Sequence, residues 1–308
     1  FYVHALILNS YIESSWKCVD GGSQIGRFLG RSIREHGGDI FRNIEVKKFV
    51  EEGGLVTHVE LGDGTKVYAD HFISNLHPTK TMEMTESDVI KKAYRNRMKS
   101  LENSISSFTI NVVLKKDTFK YFNYNYYCHQ ENSVWDGMNY TEETWPRGYA
   151  MFLHAFSRSK EYAEGLSILT YMHYSEVEQW AGTYNTTTHE ESRGEDYEAF
   201  KIRKAELLLD KVEDKFPGFR DNIKSYYVAT PLSYRDYIGN DDGSLYGVSK
   251  DYRNPLKTFI SPRTKLPNLY LTGQNLNLHG VLGTAVSGII TSSVFIGIDE
   301  MVRRLRDA

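Results

Sequence analysis

The sequence predicts an α/β domain split along the chain, with an α+β domain inserted between its pieces. Three observations point there. Strands and helices alternate at both ends, the middle reads as one sheet with a long helix, and residues 269–288, LYLTGQNLNLHGVLGTAVSG, join an apolar strand to a glycine-rich helix start. Boundaries are drawn at 18–78 and 255–308 for the split domain and at 1–17 and 79–254 for the other.

The first helix lies within residues 21–41. Gly21 and Gly22 precede Ser23, apolar residues stand at 25, 28, 29 and 33, and Gly37-Gly38 stops the run. NIEVKKFVEEGGLVTHVELGDGTKVYADHFISN then supplies β-prone runs punctuated by Gly53-Gly54 and Asp63-Gly64, both hairpin signals.

After Pro78 a partly basic helix, KKAYRNRMKSLE, leads to SSFTINVVLKKD, NYNYYCHQ, GYAMFLHAFS and GLSILTYMHYSEVEQW, strands of one antiparallel or mixed sheet. GTYNTTTHEESRGED reads as an exposed loop. EAFKIRKAELLLDKVEDKFPGF is an amphipathic helix with Ile202, Ala205, Leu209, Val212 and Phe216 on its stripe, stopped by Pro217-Gly218. IKSYYVATPLSYRDYIGNDDGSLYGV reads as a strand followed by an aromatic loop, NLYLTG as a strand, and 280 to about 306 as one final helix.

Composition removes several function classes. A formal charge of -3 leaves no basic footprint for nucleic acid. Two cysteines, Cys18 and Cys128, form neither a disulfide framework nor a CxxC, and the histidines show no zinc spacing, so no metal site is expected. No apolar run spans a bilayer and FYVHALILNS lacks the flanks of a signal peptide, which points to the cytoplasm.

The glycine corner has two readings. A helix start, here opened by Gly280, offers free amides and partial positive charge, and Gly283, Thr284, Ala285, Ser287 and Gly288 would present a flat face to a planar, electron-rich ligand. The same small residues would also serve close packing of a helix on a sheet. Gln274, Asn275 and Asn277 add hydrogen-bonding side chains that favour the ligand.

Four stretches, GGSQIGRFLGRSIREHGGDIFRNIEVKKF, DGTKVYADHFISNLHP, TPLSYRDYIGNDDGSLYG and NLYLTGQNLNLHGVLGTAVSGIITS, resemble the FAD-dependent phytoene desaturase, carotenoid isomerase and retinol saturase group of amine-oxidase-like flavoproteins. The likeness is weakest from about 120 to 200. It implies that the split domain is an FAD-binding, Rossmann-like domain and that the inserted one binds substrate. It implies that Val46 lies beside the adenine end of FAD, and that Gly273, Gln274, Asn275, Gly280, Val281, Leu282, Gly283, Thr284 and Ala285 lie along its pyrophosphate and flavin ring. His279 is followed by GVLG rather than by a proline, which favours the saturase and isomerase branch.

The dinucleotide fingerprint GxGxxG is absent from the sequence, and the resemblance implies that the chain is the carboxy-terminal portion of a longer, incomplete flavin domain. Alone it is then expected to hold FAD poorly, and to expose apolar surface through which it could dimerise. His279 is a candidate proton donor or a structural histidine. Tyr234, Tyr237 and Tyr246 are candidate substrate-lining residues or packing residues, and Lys91, Lys92, Arg95, Arg97 and Lys99 form either a lipid-touching or a solvated helix face. The expected reaction is hydride transfer between flavin and a C=C or C-C bond of an apolar isoprenoid. The alternatives are an amine-oxidase-like flavoenzyme and a non-catalytic lipid- or glycan-binding module.

Overall fold

The computed structural model describes residues 12–13, 15–130 and 134–307, so most of the expected segment 1–17 lies outside the described residues. The chain runs through helix α1 (Ser23–Glu35), strands β1 (Val46–Glu52), β2 (Leu55–Leu61), β3 (Lys66–Tyr68) and β4 (Phe72–Ser74), helix α2 (Pro78–Glu83), strand β5 (Thr85–Glu86) and helix α3 (Lys92–Lys99). It continues through β6 (Ser106–Leu114), β7 (Asn125–His129), β8 (Gly148–Leu153), β9 (Gly165–Met172), helix α4 (Glu195–Glu213), β10 (Ile223–Ala229) and helix α5 (Pro231–Ile238). Helix α6 (Pro255–Thr258), strand β11 (Leu269–Leu271) and helices α7 (Gly280–Ile296) and α8 (Ile298–Arg306) complete it.

These elements form two compact units, Phe41–Ser104 with Tyr246–Ala308, and Ser10–Ile40 with Ile105–Leu245. Helices α2 and α3 therefore group with the first unit and α1 with the second, although the sequence drew its lines at 78 and 255.

In the first unit β1, β2 and β3 form an antiparallel meander, with β5 added parallel to β1. Gly53 and Gly54 make the first hairpin because both sit at positive φ, +63° and +87°, which the tight two-residue turn requires. Strands β4 and β11 form a separate parallel pair with Leu269 opposite Phe72 and Leu271 opposite Ser74. Phe49, Val56, Phe72, Met82, Met98, Ile260, Leu269 and Leu271 close the core between these layers. The expected single helix from 280 to 306 is two, because Gly297 at φ +86° breaks the chain between α7 and α8.

The second unit is a five-stranded antiparallel sheet, ordered β10-β6-β9-β8-β7. Along β6 the even positions Phe108, Ile110, Val112 and Leu114 are buried in the core, as the two-residue period of a strand dictates. They pack with Leu166, Ile168, Tyr149 and Met151 against the Tyr197, Phe200, Ala205, Leu208, Leu209 and Val212 face of α4. Ile202, expected on that stripe, is 55% exposed, and Lys204 is buried instead. Its ammonium lies 2.5 Å from Glu176 and 4.5 Å from the Trp145 ring, which compensates the buried charge.

The aromatic loop expected after β10 is helix α5. Thr230 caps it: its hydroxyl accepts from the Leu232 N–H at 3.2 Å, while the Ser233 hydroxyl accepts from the Thr230 N–H at 3.2 Å, a capping box with Pro231 at the first helical position. Thr230 is fully buried and also meets the Tyr197 hydroxyl at 2.8 Å. Thr230→Ala is expected to destabilise this unit by about 1–2 kcal/mol, read as a fall in the urea midpoint at constant slope.

Candidate functional site

The turn from Gly273 to His279 and the first turns of α7 collect most of the residues singled out from sequence, all within the first unit. They divide into two groups. Gly280, Val281, Leu282, Thr284 and Ala285 are exposed, and Gln274 is half-buried. Gly273, Asn275 and Gly283 are buried and committed to packing.

The physical reasons differ. Gly273 sits at φ +96°, and a Cβ there would lie 1.9 Å from Asn75 Oδ1. Asn275 accepts from the Val248 N–H through Oδ1 at 3.1 Å, so its side chain braces a neighbouring segment. A Cβ on Gly283 would fall 2.4 Å from the Leu278 carbonyl carbon. Gly283, Ser287 and Thr291, four residues apart, form the buried stripe of α7, and the Thr291 hydroxyl donates to the Leu271 carbonyl at 3.0 Å. Gly283 thus lets the start of α7 fold tightly onto Leu278 of its own preceding turn, while Thr291 ties the helix to β11.

The mouth of α7 is different. Gly280 at φ +76° would carry a Cβ into open space among the described residues, no acidic residue stands in the first turn, and Val281 is 71% exposed. His279 holds the N-cap position with extended backbone, and its ring stacks on Tyr246, centroids 4.4 Å apart and tilted by 39°. The structure thus brings together two residues that the sequence named for separate roles. Val46 is the first residue of β1, opposite Leu61, half-buried against the core of the same unit.

Tyr234 belongs to the second unit. Its hydroxyl meets Thr109 Oγ1 at 2.8 Å, on the sheet face opposite α4. That face also carries a chain of polar contacts, His154 Nε2 to Ser167 Oγ at 3.0 Å and Ser167 Oγ donating to Asn111 Oδ1 at 2.7 Å. Burial, then the nearby Lys17 ammonium, lowers the His154 pKa. A cavity of about 530 Å³ in this unit is lined by Lys17, Cys18, Asn125, Phe152, His154 and Phe156.

Of the five basic residues near α3, Arg95 donates to the Thr85 carbonyl at 2.6 Å, Arg97 donates to the Phe259 carbonyl, and Lys99 lies 3.2 Å from Glu83. No described helix is long and apolar enough to cross a membrane.

Sequence reasoning missed Lys250. It follows a turn rich in glycine and aspartate and carries no periodic signal, yet its Nζ donates to the carbonyls of Asn275 at 2.6 Å and Leu276 at 2.9 Å, inside the candidate turn.

No protein-family model matches the chain. Across 96% of its length it is 24% identical to the all-trans-retinol 13,14-reductase of Danio rerio and 22% identical to that of Rattus norvegicus. Across 88% it is 26% identical to the chloroplastic prolycopene isomerase of Daucus carota. The chain is a homologue of these enzymes. It spans about half the length of the curated relatives it matches, 52% of the Danio reductase and 42% of the Daucus isomerase. An oxidoreductase from Methanosarcina mazei shares the fold, with a TM-score of 0.51 over 87% of this chain and 52% of that one at 15% identity. The Rossmann-like α/β class with an inserted α+β unit, expected from sequence, is the fold found.

Proposed function

We propose that this chain supplies the flavin-facing turn and helix, and part of the substrate wall, of an FAD-dependent oxidoreductase that reduces, desaturates or isomerises C=C bonds in an apolar isoprenoid. The similarity to retinol reductases along 96% of the chain carries this reading. The geometry at the mouth of α7 fits a flavin. Uncapped backbone, open space at Gly280 and the absence of a carboxylate in the first turn suit an electron-rich ring or a pyrophosphate. FAD, when bound, would supply the hydride chemistry. The chain's own residues would bind and orient: Gly280, Val281, Leu282, Thr284 and Ala285 along the cofactor, Val46 at its adenine end, and His279, held by Tyr246, as a proton donor.

Two observations support reading the chain as one portion of a longer enzyme. The relatives are about twice as long. Among the described residues β4 and β11 form a parallel pair of only two strands, with Ile73 54% exposed, whereas parallel sheets are normally wider and covered on both faces. The exposed Phe28, Leu29 and Ile33 of α1 and the exposed Phe295 of α7 offer further apolar surface.

The test uses the full-length protein. Bound flavin is measured by absorbance, and products from a retinoid and from a poly-cis carotenoid are separated beside an amine panel read by peroxide release. Stoichiometric FAD with an altered polyene double bond is expected. Flavin with peroxide only from amines would favour the amine-oxidase alternative, and an active protein without flavin would refute both. The 308-residue chain by itself is expected to bind hydrophobic dye and to self-associate in light scattering.

A further inference from the structure

Lys250 stands at the end of a segment, Tyr246 to Lys250, that runs along the turn Gly273 to His279 and meets it through Tyr246, Gly247, Val248 and Lys250. The Tyr246 ring stacks on His279 at 4.4 Å. Gly247 leaves no room for a side chain, since a Cβ there would lie 2.1 Å from Asn275 Oδ1. The Val248 N–H donates to that same oxygen at 3.1 Å. Lys250 Nζ then donates to the carbonyls of Asn275 at 2.6 Å, Leu276 at 2.9 Å and Thr258 at 3.4 Å. Buried backbone carbonyls in an irregular turn require partners, and here one side chain serves two consecutive ones and ties them to the end of α6.

We infer that Lys250 is a positioning residue: its side chain fixes the backbone of the turn that leads into α7, and through that turn the placement of His279 and Gly280. The inference rests on the flavin reading only for the consequence of that placement. Loss of the tie would free two carbonyls and let the turn adopt other conformations, so the exposed amides of α7 would no longer be held in one arrangement.

The tie has an electrostatic signature. Burial alone lowers the Lys250 pKa to about 8. The charged and titratable groups on the segments around it are Asp251, Tyr252, Arg253 and Lys257 beside it, Glu102 on the segment paired with Val248 and Ser249, Arg97 reaching the Phe259 carbonyl, and Tyr246 and His279 at the turn. Asp251 is occupied by the backbone N–H groups of Arg253 and Asn254. Opening the turn would return Lys250 to water and to the ordinary lysine range near ~10.4. The closed turn therefore binds this proton less tightly than the open one, and raising pH through about 8 favours closure. The neutral amine keeps two N–H donors for the two short bonds, so the tie survives deprotonation.

The experiment has two arms, each comparing the full-length protein with Lys250→Met. In the first, hydrogen exchange over residues 274–280 is followed without added ligand from pH 7 to 9, corrected for intrinsic rates. Exchange should be about tenfold faster in K250M, protection in the parent should rise above pH 8 while that of K250M stays flat, and peptides of β6 and β9 should not change. Equal protection in both proteins overturns the inference, whatever the flavin result. In the second arm FAD is titrated by fluorescence. A dissociation constant at least about tenfold weaker in K250M is expected, and an unchanged constant overturns the link to the cofactor. A parent protein that binds no FAD refutes the functional reading, and the first arm alone then decides the role of Lys250.

Discussion

Replacing Asp236 by asparagine is expected to lower the stability of the sheet unit by about 3–5 kcal/mol. The Asp236 carboxylate is fully buried and holds two guanidinium groups: Arg193, itself 4% exposed, and Arg235, whose Nε donates at 2.7 Å. It also accepts the Asn185 N–H at 2.8 Å, which pins the long polar loop to α5. The amide would leave both cations without their counter-charge where water cannot substitute for it. Thermal unfolding should show a midpoint lower by roughly 10 °C. The exposed pair Arg158 and Glu164 gives the contrast. Arg158 is 71% exposed, and Glu164→Ala should cost less than about 1 kcal/mol although the pair is bidentate. Equal effects at the two sites would show that burial is not what makes the Asp236 cluster matter.

Gly283→Ala and Gly288→Ala are expected to shift stability in opposite directions, although both residues lie in α7 and the substitution is the same. An alanine methyl at 283 would meet the Leu278 carbonyl carbon, its oxygen and its Cβ between 2.4 and 2.6 Å, so the turn or the helix must move. Overpacking against backbone should cost about 3 kcal/mol and, on the flavin reading proposed above, weaken FAD binding in the full-length protein by displacing Gly280. At 288 a methyl meets nothing within 4 Å, and helix propensity should yield a gain of about 0.5–1 kcal/mol. Denaturant unfolding of both variants checks the signs. A neutral Gly283→Ala would mean that the turn at Leu278 yields readily, and the close-packing account of Gly283 would fall.

Much of the fold was legible because its signals are local. Gly53-Gly54 and Asp63-Gly64 announced their turns through the positive φ that glycine accepts, and both hairpins are present. The strands of the central sheet were visible from their apolar runs, and α4 from its length and period. Helix α5 carried a signal that was passed over, TPLS, a threonine cap with proline at the first position and a hydroxyl at the third. Gly297 likewise marked the break between α7 and α8.

The site was legible to a different degree. The sequence by itself determined that a glycine-rich turn enters a helix near residue 280, that GxGxxG is missing, and which enzymes the chain resembles, since each is a statement about residues adjacent along the chain. Only the tertiary structure decided which small residues face outward at Gly280 and which are spent against Leu278 and Asn75. It alone decided that Ile202 lies in solvent while Lys204 is buried, and that Lys250 holds a turn some 25 residues further on. Periodicity reports which face of an element is apolar, but a hydrogen bond between distant segments leaves no periodic trace. Its partners are chosen by how the chain packs, and that choice exists only in the folded state.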